Sequence, residues 1–494
     1  MDIYNTRANG ILMHISSLPG KFGIGTLGEN AYKFVDFLKE GKQTYWQILP
    51  VCPTSYGDSP YQSFSTFAGN PYFIDLEILK SQGYLEEKDY INIDWGGTET
   101  SVDYGTLYIE RNKVFKKIQK NFEKNIPVDF EEFCNKNNFW LEDFSLFMAI
   151  KDSFDGKAFT QWPSSFIKRE ASAIEKFRKE NESKIFYYKM LQYLFFKQWY
   201  ELKNYANKNG IYIIGDIPIY VAADSSDVWT NPQNFYLDEN NIPVEVAGCP
   251  PDGFSADGQL WGNPVYNWTF MEKDGYSWWK KRISESLKIY DVIRIDHFRG
   301  FDSFYTIKYG AENAKIGKWN EGPGIKFFNE LKKDFGALQI IAEDLGFLTD
   351  SVKKLLNDSG FPGMKVLQFA FDSRETSDYL PFRYTRNCVV YTGTHDNDTI
   401  CGWEKSAAKS DVNYAREFLL CEGNDLCKKM MLAAMSSSAN TCILTLQDLI
   451  GLGSEGRMNV PSTVGTNWKW RAKQNELVPE ISEFLKKYTK IFGR

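Results

Sequence analysis

The chain has 494 residues, 43% of them hydrophobic, and a formal net charge of −6. That apolar fraction can fill a large core and excludes a disordered protein. An acidic balance with no Lys/Arg-rich run argues against nucleic acid or an anionic membrane as the main partner.

No apolar run approaches the ~20 residues that a membrane span needs. The opening Met-Asp-Ile-Tyr-Asn-Thr-Arg carries no signal-peptide core. The eight cysteines contain no Cys-x-x-Cys pair and are expected to be buried free thiols in a reducing compartment. A cytoplasmic protein is the expectation.

Short apolar runs predict eight strands, at residues 11–15, 45–51, 211–221, 291–296, 338–343, 365–371, 388–394 and 441–447. Helical patterns lie between most of them. Residues 30–39 follow the first strand, with Ala31, Phe34, Val35, Phe37 and Leu38 as an apolar stripe. Residues 186–207 precede the third strand, 276–287 the fourth and 326–335 the fifth. Residues 352–357 follow the fifth, and 415–439 lead to the eighth. This alternation predicts an α/β fold, a (β/α)8 TIM barrel spanning 1–494 as one catalytic domain; a doubly wound open sheet is the alternative.

Two connections are too long to be loops. About 160 residues part the second and third strands, predicting a mostly helical insertion over 65–205. About 70 part the third and fourth, predicting an insertion over 222–285 that contains a groove loop at 249–264. Insertions after barrel strands emerge on the catalytic face, so both should cap the site.

Three strands run into acidic motifs: Arg294-Ile-Asp-His297, Ala342-Glu-Asp-Leu-Gly346 and Thr394-His-Asp-Asn-Asp398. Carboxylates at strand C-termini sit where barrels build active sites, and three of them suggest glycoside chemistry. Strand alternation puts Val292, Arg294 and Asp296 on one face. A guanidinium there would keep Asp296 ionised, as a nucleophile requires; a purely structural Arg–Asp pair is the equal alternative. Glu343 suits a general acid if an apolar site or the charge of Asp296 raises its pKa. The competing reading is a helix cap, and it is the one taken for Asp344.

Two of the three histidines, His297 and His395, adjoin motif aspartates, and imidazoles can donate hydrogen bonds to sugar hydroxyls. A metal site is the rival, but no His-Glu-x-x-His spacing occurs. Gly23-Ile-Gly-Thr-Leu-Gly28 matches a dinucleotide fingerprint. The loop before it is too long for the tight turn, and no acidic residue ends the second strand to grip a ribose, so the glycines are assigned to loop geometry.

Taken in order, these motifs resemble the 4-α-glucanotransferase family, the amylomaltases or disproportionating enzymes. The matching stretches are 10–20, 57–65, 69–72, 215–221, 250–252, 260–264, 294–300, 342–346, 393–398 and 467–468, so the resemblance covers almost the whole chain. It implies a barrel of the α-amylase kind with a groove for α-1,4-glucans, and no metal or organic cofactor. On that pattern Asp296 matches the nucleophile, Glu343 the acid/base and Asp396 the transition-state stabiliser. Arg294, His395 and Asp216 match the donor-sugar site, and Tyr61 its aromatic platform. Trp261 and Asn263 match the substrate-facing end of the 249–264 loop. Ser59, His297 and Asn467 complete the expected substrate-binding set.

Gly253 before Phe254, where some members carry an aromatic pair, and Ser462 after Pro461, where many have Gly, are departures. The implied reaction is retaining transfer of a glucan segment to the 4-hydroxyl of an acceptor sugar. An α-amylase-type hydrolase and a non-catalytic glucan-binding barrel are the rivals.

Overall fold

Eight parallel strands form the centre of a computed structural model that describes residues 2–251, 255–346 and 348–494. They are β1 (Ala8–Leu12), β2 (Tyr45–Gln47), β3 (Tyr212–Pro218), β4 (Val292–Asp296), β5 (Ile340–Ala342), β6 (Gly363–Val366), β7 (Cys388–Tyr391) and β8 (Thr441–Thr445). The spatial order is β6-β7-β8-β1-β2-β3-β4-β5, so β8 returns to lie beside β1. At the remaining seam the Ala342 N–H donates to Pro362 O at 2.9 Å, and the Met364 N–H donates to Asp344 Oδ1 at 2.6 Å. This order is a barrel, not an open sheet.

Runs such as Cys388-Val-Val-Tyr391 and Thr441-Cys-Ile-Leu-Thr445 are buried throughout, as strands between a packed interior and an outer helical layer must be. Asp344 therefore has a different task from the predicted helix cap. The next helix, Asp350–Ser359, is capped by the Thr349 side chain, which accepts from the Val352 N–H. Asp344 instead ties β5 to β6.

Some strand limits differ from the prediction. β1 starts at Ala8 because Ala8, Asn9 and Gly10 carry no β-branched signal, while Ile15–Ser17 coil into a 3-10 turn. β6 starts at Gly363 and stops at Val366, where Leu367–Ala370 form another such turn. The 415–439 pattern splits between helices Lys409–Phe418 and Leu426–Ser436, with Gly423 at φ +62° between them. The glycine-rich loop before helix Glu29–Glu40 is tightly packed: a Cβ on Gly25 would lie 1.8 Å from Ile15 O.

The β2–β3 connection holds the helices Tyr104–Phe122, Asn138–Ser153, Ala171–Glu180 and Glu182–Lys208. Aromatic contacts such as Trp140 on Phe196 join them. A four-stranded antiparallel sheet lies elsewhere, in the order Gln259–Pro264, Glu245–Cys249, Ser303–Lys308, Gly317–Glu321. Its last two strands come from the β4–β5 connection, an insertion the sequence reading missed. Gly317–Glu321 is largely exposed and so shows no apolar run.

The predicted groove loop at 249–264 is in good part paired: Cys249 ends one strand of this sheet and Gln259–Pro264 is another. Asp252, Gly253 and Phe254 lie outside the described residues. None of the eight cysteines is in a disulfide, and only Cys388 and Cys442 are buried; the others are partly exposed. No described helix is long and apolar enough to cross a membrane.

Candidate active site

The register of β3 on β4 sets Asp216 opposite Arg294 and Pro218 opposite Asp296. Arg294 is buried in the barrel interior between the two carboxylates. Its Nη1 donates to Asp216 Oδ2 at 2.6 Å and its Nη2 to Asp296 Oδ1 at 2.9 Å. A buried guanidinium is tolerable when its charge is paired and its fork is hydrogen-bonded. Tyr61 Oη also donates to Asp216 Oδ2, at 2.9 Å, while the buried Oδ1 has no partner. Burial pushes Asp216 up to about 6, against the pull of the Arg294 charge. Asp296 is tethered by one oxygen; among the described residues its Oδ2 meets no donor.

Glu343 follows β5 directly. Its Oε2 accepts from the His297 N–H and its Oε1 from the Leu345 N–H, both at 2.7 Å. His297 takes left-handed backbone angles, φ +56° and ψ +48°, at this point. A non-glycine residue there costs about 1–3 kcal/mol, the kind of strain found at functional sites. Burial and then the negative charge of Asp296 raise Glu343 to about 8, although Arg294 and the two backbone donors pull the other way. Burial lowers the His297 imidazole to about 4, so it is neutral near pH 7. The Trp261 ring lies edge-to-face with it, the centroids 4.8 Å apart.

Asp396 lies on the loop after β7. The neighbouring His395 ring stacks on Tyr61 with centroids 5.0 Å apart and planes 21° apart. Its Nδ1 is 3.5 Å from Tyr61 Oη, and its Nε2 is 3.4 Å from Asp396 Oδ1. Asn459 Nδ2 donates to that same Oδ1 at 2.6 Å, and Arg457 Nη2 donates to the Asp396 carbonyl at 2.6 Å. The Asn459 N–H also donates to His395 O at 3.0 Å. The site is thus a cluster of three strand-end carboxyls with sharply different surroundings.

A family model described as 4-alpha-glucanotransferase matches residues 13–476. The chain belongs to the 4-alpha-glucanotransferase family. Among its relatives, the 4-alpha-glucanotransferase of Clostridium butyricum is 49% identical over 98% of this chain and 100% of its own length. That of Streptococcus pneumoniae is 50% identical over 99% of this chain and 97% of its own. The amylomaltase from Streptococcus agalactiae, solved in complex with acarbose, matches with a TM-score of 0.97 at 44% identity, covering 99% of both chains. Transfer of glucan, rather than its hydrolysis, is the reaction class of this barrel.

Within this glucanotransferase, some predicted binding residues have structural work. The Asn467 side chain accepts from the Val460 N–H at 3.0 Å and donates to Thr463 O at 2.9 Å and Val460 O at 3.2 Å. These bonds of its amide close the 460–467 loop. Ser59 Oγ accepts from the Tyr61 N–H at 3.2 Å and so orients the platform residue. Asn263 donates to Val221 O at 2.8 Å and accepts from Gln62 at 3.0 Å, joining three segments at the groove wall.

Asn459, Arg457 and Gln62 escaped the sequence reading because they lie outside any apolar run and pair across long chain separations. A cavity of about 460 Å³ in the helical insertion is lined by Glu142, Arg178 and Lys189 and holds none of the strand-end carboxyls. No group of three or more His, Cys, Asp or Glu side chains among the described residues is placed to hold a metal ion.

Proposed function

We propose that this enzyme moves an α-1,4-glucan segment from a donor maltodextrin to the 4-hydroxyl of an acceptor glucose or maltodextrin by a retaining double displacement. Asp296 is the nucleophile, Glu343 the acid/base and Asp396 the transition-state stabiliser. The observation that carries this reading is the opposed setting of two neighbouring carboxyls. Arg294 holds Asp296 in place with one oxygen free, while burial and Asp296 itself raise Glu343 to about 8. A carboxyl kept protonated beside a second one with a free oxygen suits an acid next to a nucleophile.

In the first step Asp296 Oδ2 attacks the anomeric carbon, and Glu343 gives its proton to the departing glycosidic oxygen. The bond to the leaving chain breaks and a β-glycosyl ester forms on Asp296. Esterification removes the Asp296 charge, and with it one cause of the raised Glu343 pKa. Glu343, now a carboxylate, is then suited to take the proton of the acceptor 4-hydroxyl. That oxygen attacks the anomeric carbon and releases Asp296. The retaining geometry calls for carboxyls ~5–5.5 Å apart.

Asp216 is fully buried and holds Arg294 and Tyr61 through its Oδ2 beneath the site. Tyr61, His395, His297 and Trp261 supply ring faces and donors for a sugar, and acarbose bound by the Streptococcus agalactiae relative supports α-glucan chains as the ligand. The whole chain works as one catalytic barrel, with the 65–205 and 222–285 insertions roofing the groove against water. A cytoplasmic setting suits eight cysteines with no disulfide among them, and the reaction needs neither nucleic acid nor membrane.

Maltotriose and the pure enzyme test the reading. Glucose and longer chains should appear at constant total reducing ends, and Asp296→Asn should abolish this while leaving the circular dichroism spectrum unchanged. Rising reducing ends would replace transfer by hydrolysis, and near-normal turnover by the variant would remove Asp296 from its role.

A further inference from the structure

The loop that carries His395 and Asp396 is held at both ends by one buried side chain. Asp448 sits in the short helix Leu446–Ile450 after β8 and is 2% exposed. Its Oδ2 accepts from Thr392 Oγ1 at 2.7 Å, immediately after β7. Its Oδ1 accepts from the Ile400 N–H at 2.8 Å, where helix Ile400–Ser406 begins. The residues between these two points are Gly393–Thr399, the whole acidic motif.

The Ile400 bond is not needed to start the helix, since the Thr399 side chain already caps it by accepting from the Gly402 N–H. Asp448 is fixed in turn, its N–H donating to Thr445 Oγ1 at 3.3 Å. The segment after β8 adds Ser454 Oγ to Asp398 Oδ2 at 2.7 Å, and from the β6 side Gln368 Nε2 donates to Asp398 O at 2.7 Å. Moving the loop would strip a buried carboxyl of its donors, which is unfavourable where no water replaces them.

We propose that Asp448 is a positioning residue for Asp396, a clamp that fixes the β7 loop to the end of β8. It touches no reacting atom, and the proposal rests on the role given to Asp396 above. Its effect is geometric: a displacement of about 1 Å at a catalytic group can lower the rate about 100-fold. The loss should fall on kcat, because Asp396 is assigned to the transition state, and leave the KM for maltotriose within about twofold.

The test separates the bonds from the charge and from folding. Asp448→Ala removes both bonds and should lower kcat about 100-fold. Asp448→Asn can keep both, with Oδ1 accepting from Ile400 and Nδ2 donating to a reversed Thr392 hydroxyl, and should restore most of kcat. Thr392→Val removes one bond at nearly constant volume and should lower kcat about tenfold, while Thr392→Ser should restore it. If Asp448→Ala does not fold, the Thr392 pair decides alone.

A folded Thr392→Val with wild-type kcat overturns the clamp. So does an Asp448→Asn as impaired as a folded Asp448→Ala, or a loss confined to KM. Asp396→Asn is measured alongside. An inactive Asp396→Asn beside an unaffected Thr392→Val removes only the clamp, whereas an active Asp396→Asn removes the role of Asp396 itself.

Discussion

Glu343→Gln should make the folded protein more stable relative to wild type as pH rises, although it removes the acid. Burial and Asp296 raise this carboxyl from its ordinary 4.5 to about 8. A group with a higher pKa folded than unfolded contributes stability that is fully present below the unfolded value and is lost as pH climbs through the folded one. At 1.36 kcal/mol per unit, the wild-type cost relative to acid pH is about 1 kcal/mol at pH 5 and about 4 kcal/mol at pH 8.

Gln cannot ionise and escapes this cost. It does turn an NH2 group toward the N–H of His297 or Leu345, whose two bonds the carboxylate accepts. That loss is worth about 1–3 kcal/mol, but it is the same at every pH. The offset between the two proteins can therefore take either sign, while their difference should move by about 3 kcal/mol in favour of Gln between pH 5 and pH 8. Urea unfolding of both proteins across that range measures it, provided the m values agree. Stability curves that run parallel would refute the raised Glu343 pKa, and with it the assignment of the acid.

The same shift fixes the pH–rate profile: kcat/KM requires protonated Glu343, so it should fall above about pH 8. A flat profile to pH 10 would exclude Glu343 as the acid. Arg294→Met would leave Asp216 buried without its cation and should cost about 3–5 kcal/mol in urea unfolding; a loss under about 1 kcal/mol would show that the pair is not a buried one in solution. Replacing residues 250–258 by a short Gly-Ser link, with both flanking strands kept, should raise the ratio of hydrolysis to transfer on maltotriose. An unchanged ratio would mean that water is excluded by other segments.

The parts of this molecule legible in its sequence are those that depend on neighbours along the chain. β-branched runs mark the buried strands, and their ends mark Asp296 and Glu343. Alternation alone places Arg294 beside Asp296, two residues away on one face. What stayed hidden depends on which segments meet in space. The Arg294–Asp216 bond needs the β3–β4 register across 78 residues, and the Asn459 bond to Asp396 spans 63. Asp344 and Asp448 look like any polar residue near a helix, yet one ties the barrel seam and the other holds a loop. The hairpin 303–321 lacks a full apolar signal because its outer strand faces solvent.

Asn467 bonds through its amide to Val460 and Thr463 of its own loop, contacts that a shared motif does not reveal. The choice posed between a structural Arg–Asp pair and a nucleophile bears on how Arg294 shares its guanidinium. Arg294 binds Asp296 through a single oxygen and gives its other terminal nitrogen to Asp216. A bidentate grip would have engaged both Asp296 oxygens and left none free to attack. Sharing the guanidinium between two carboxylates lets one bond fix the position of Asp296 while its other oxygen takes no bond from Arg294.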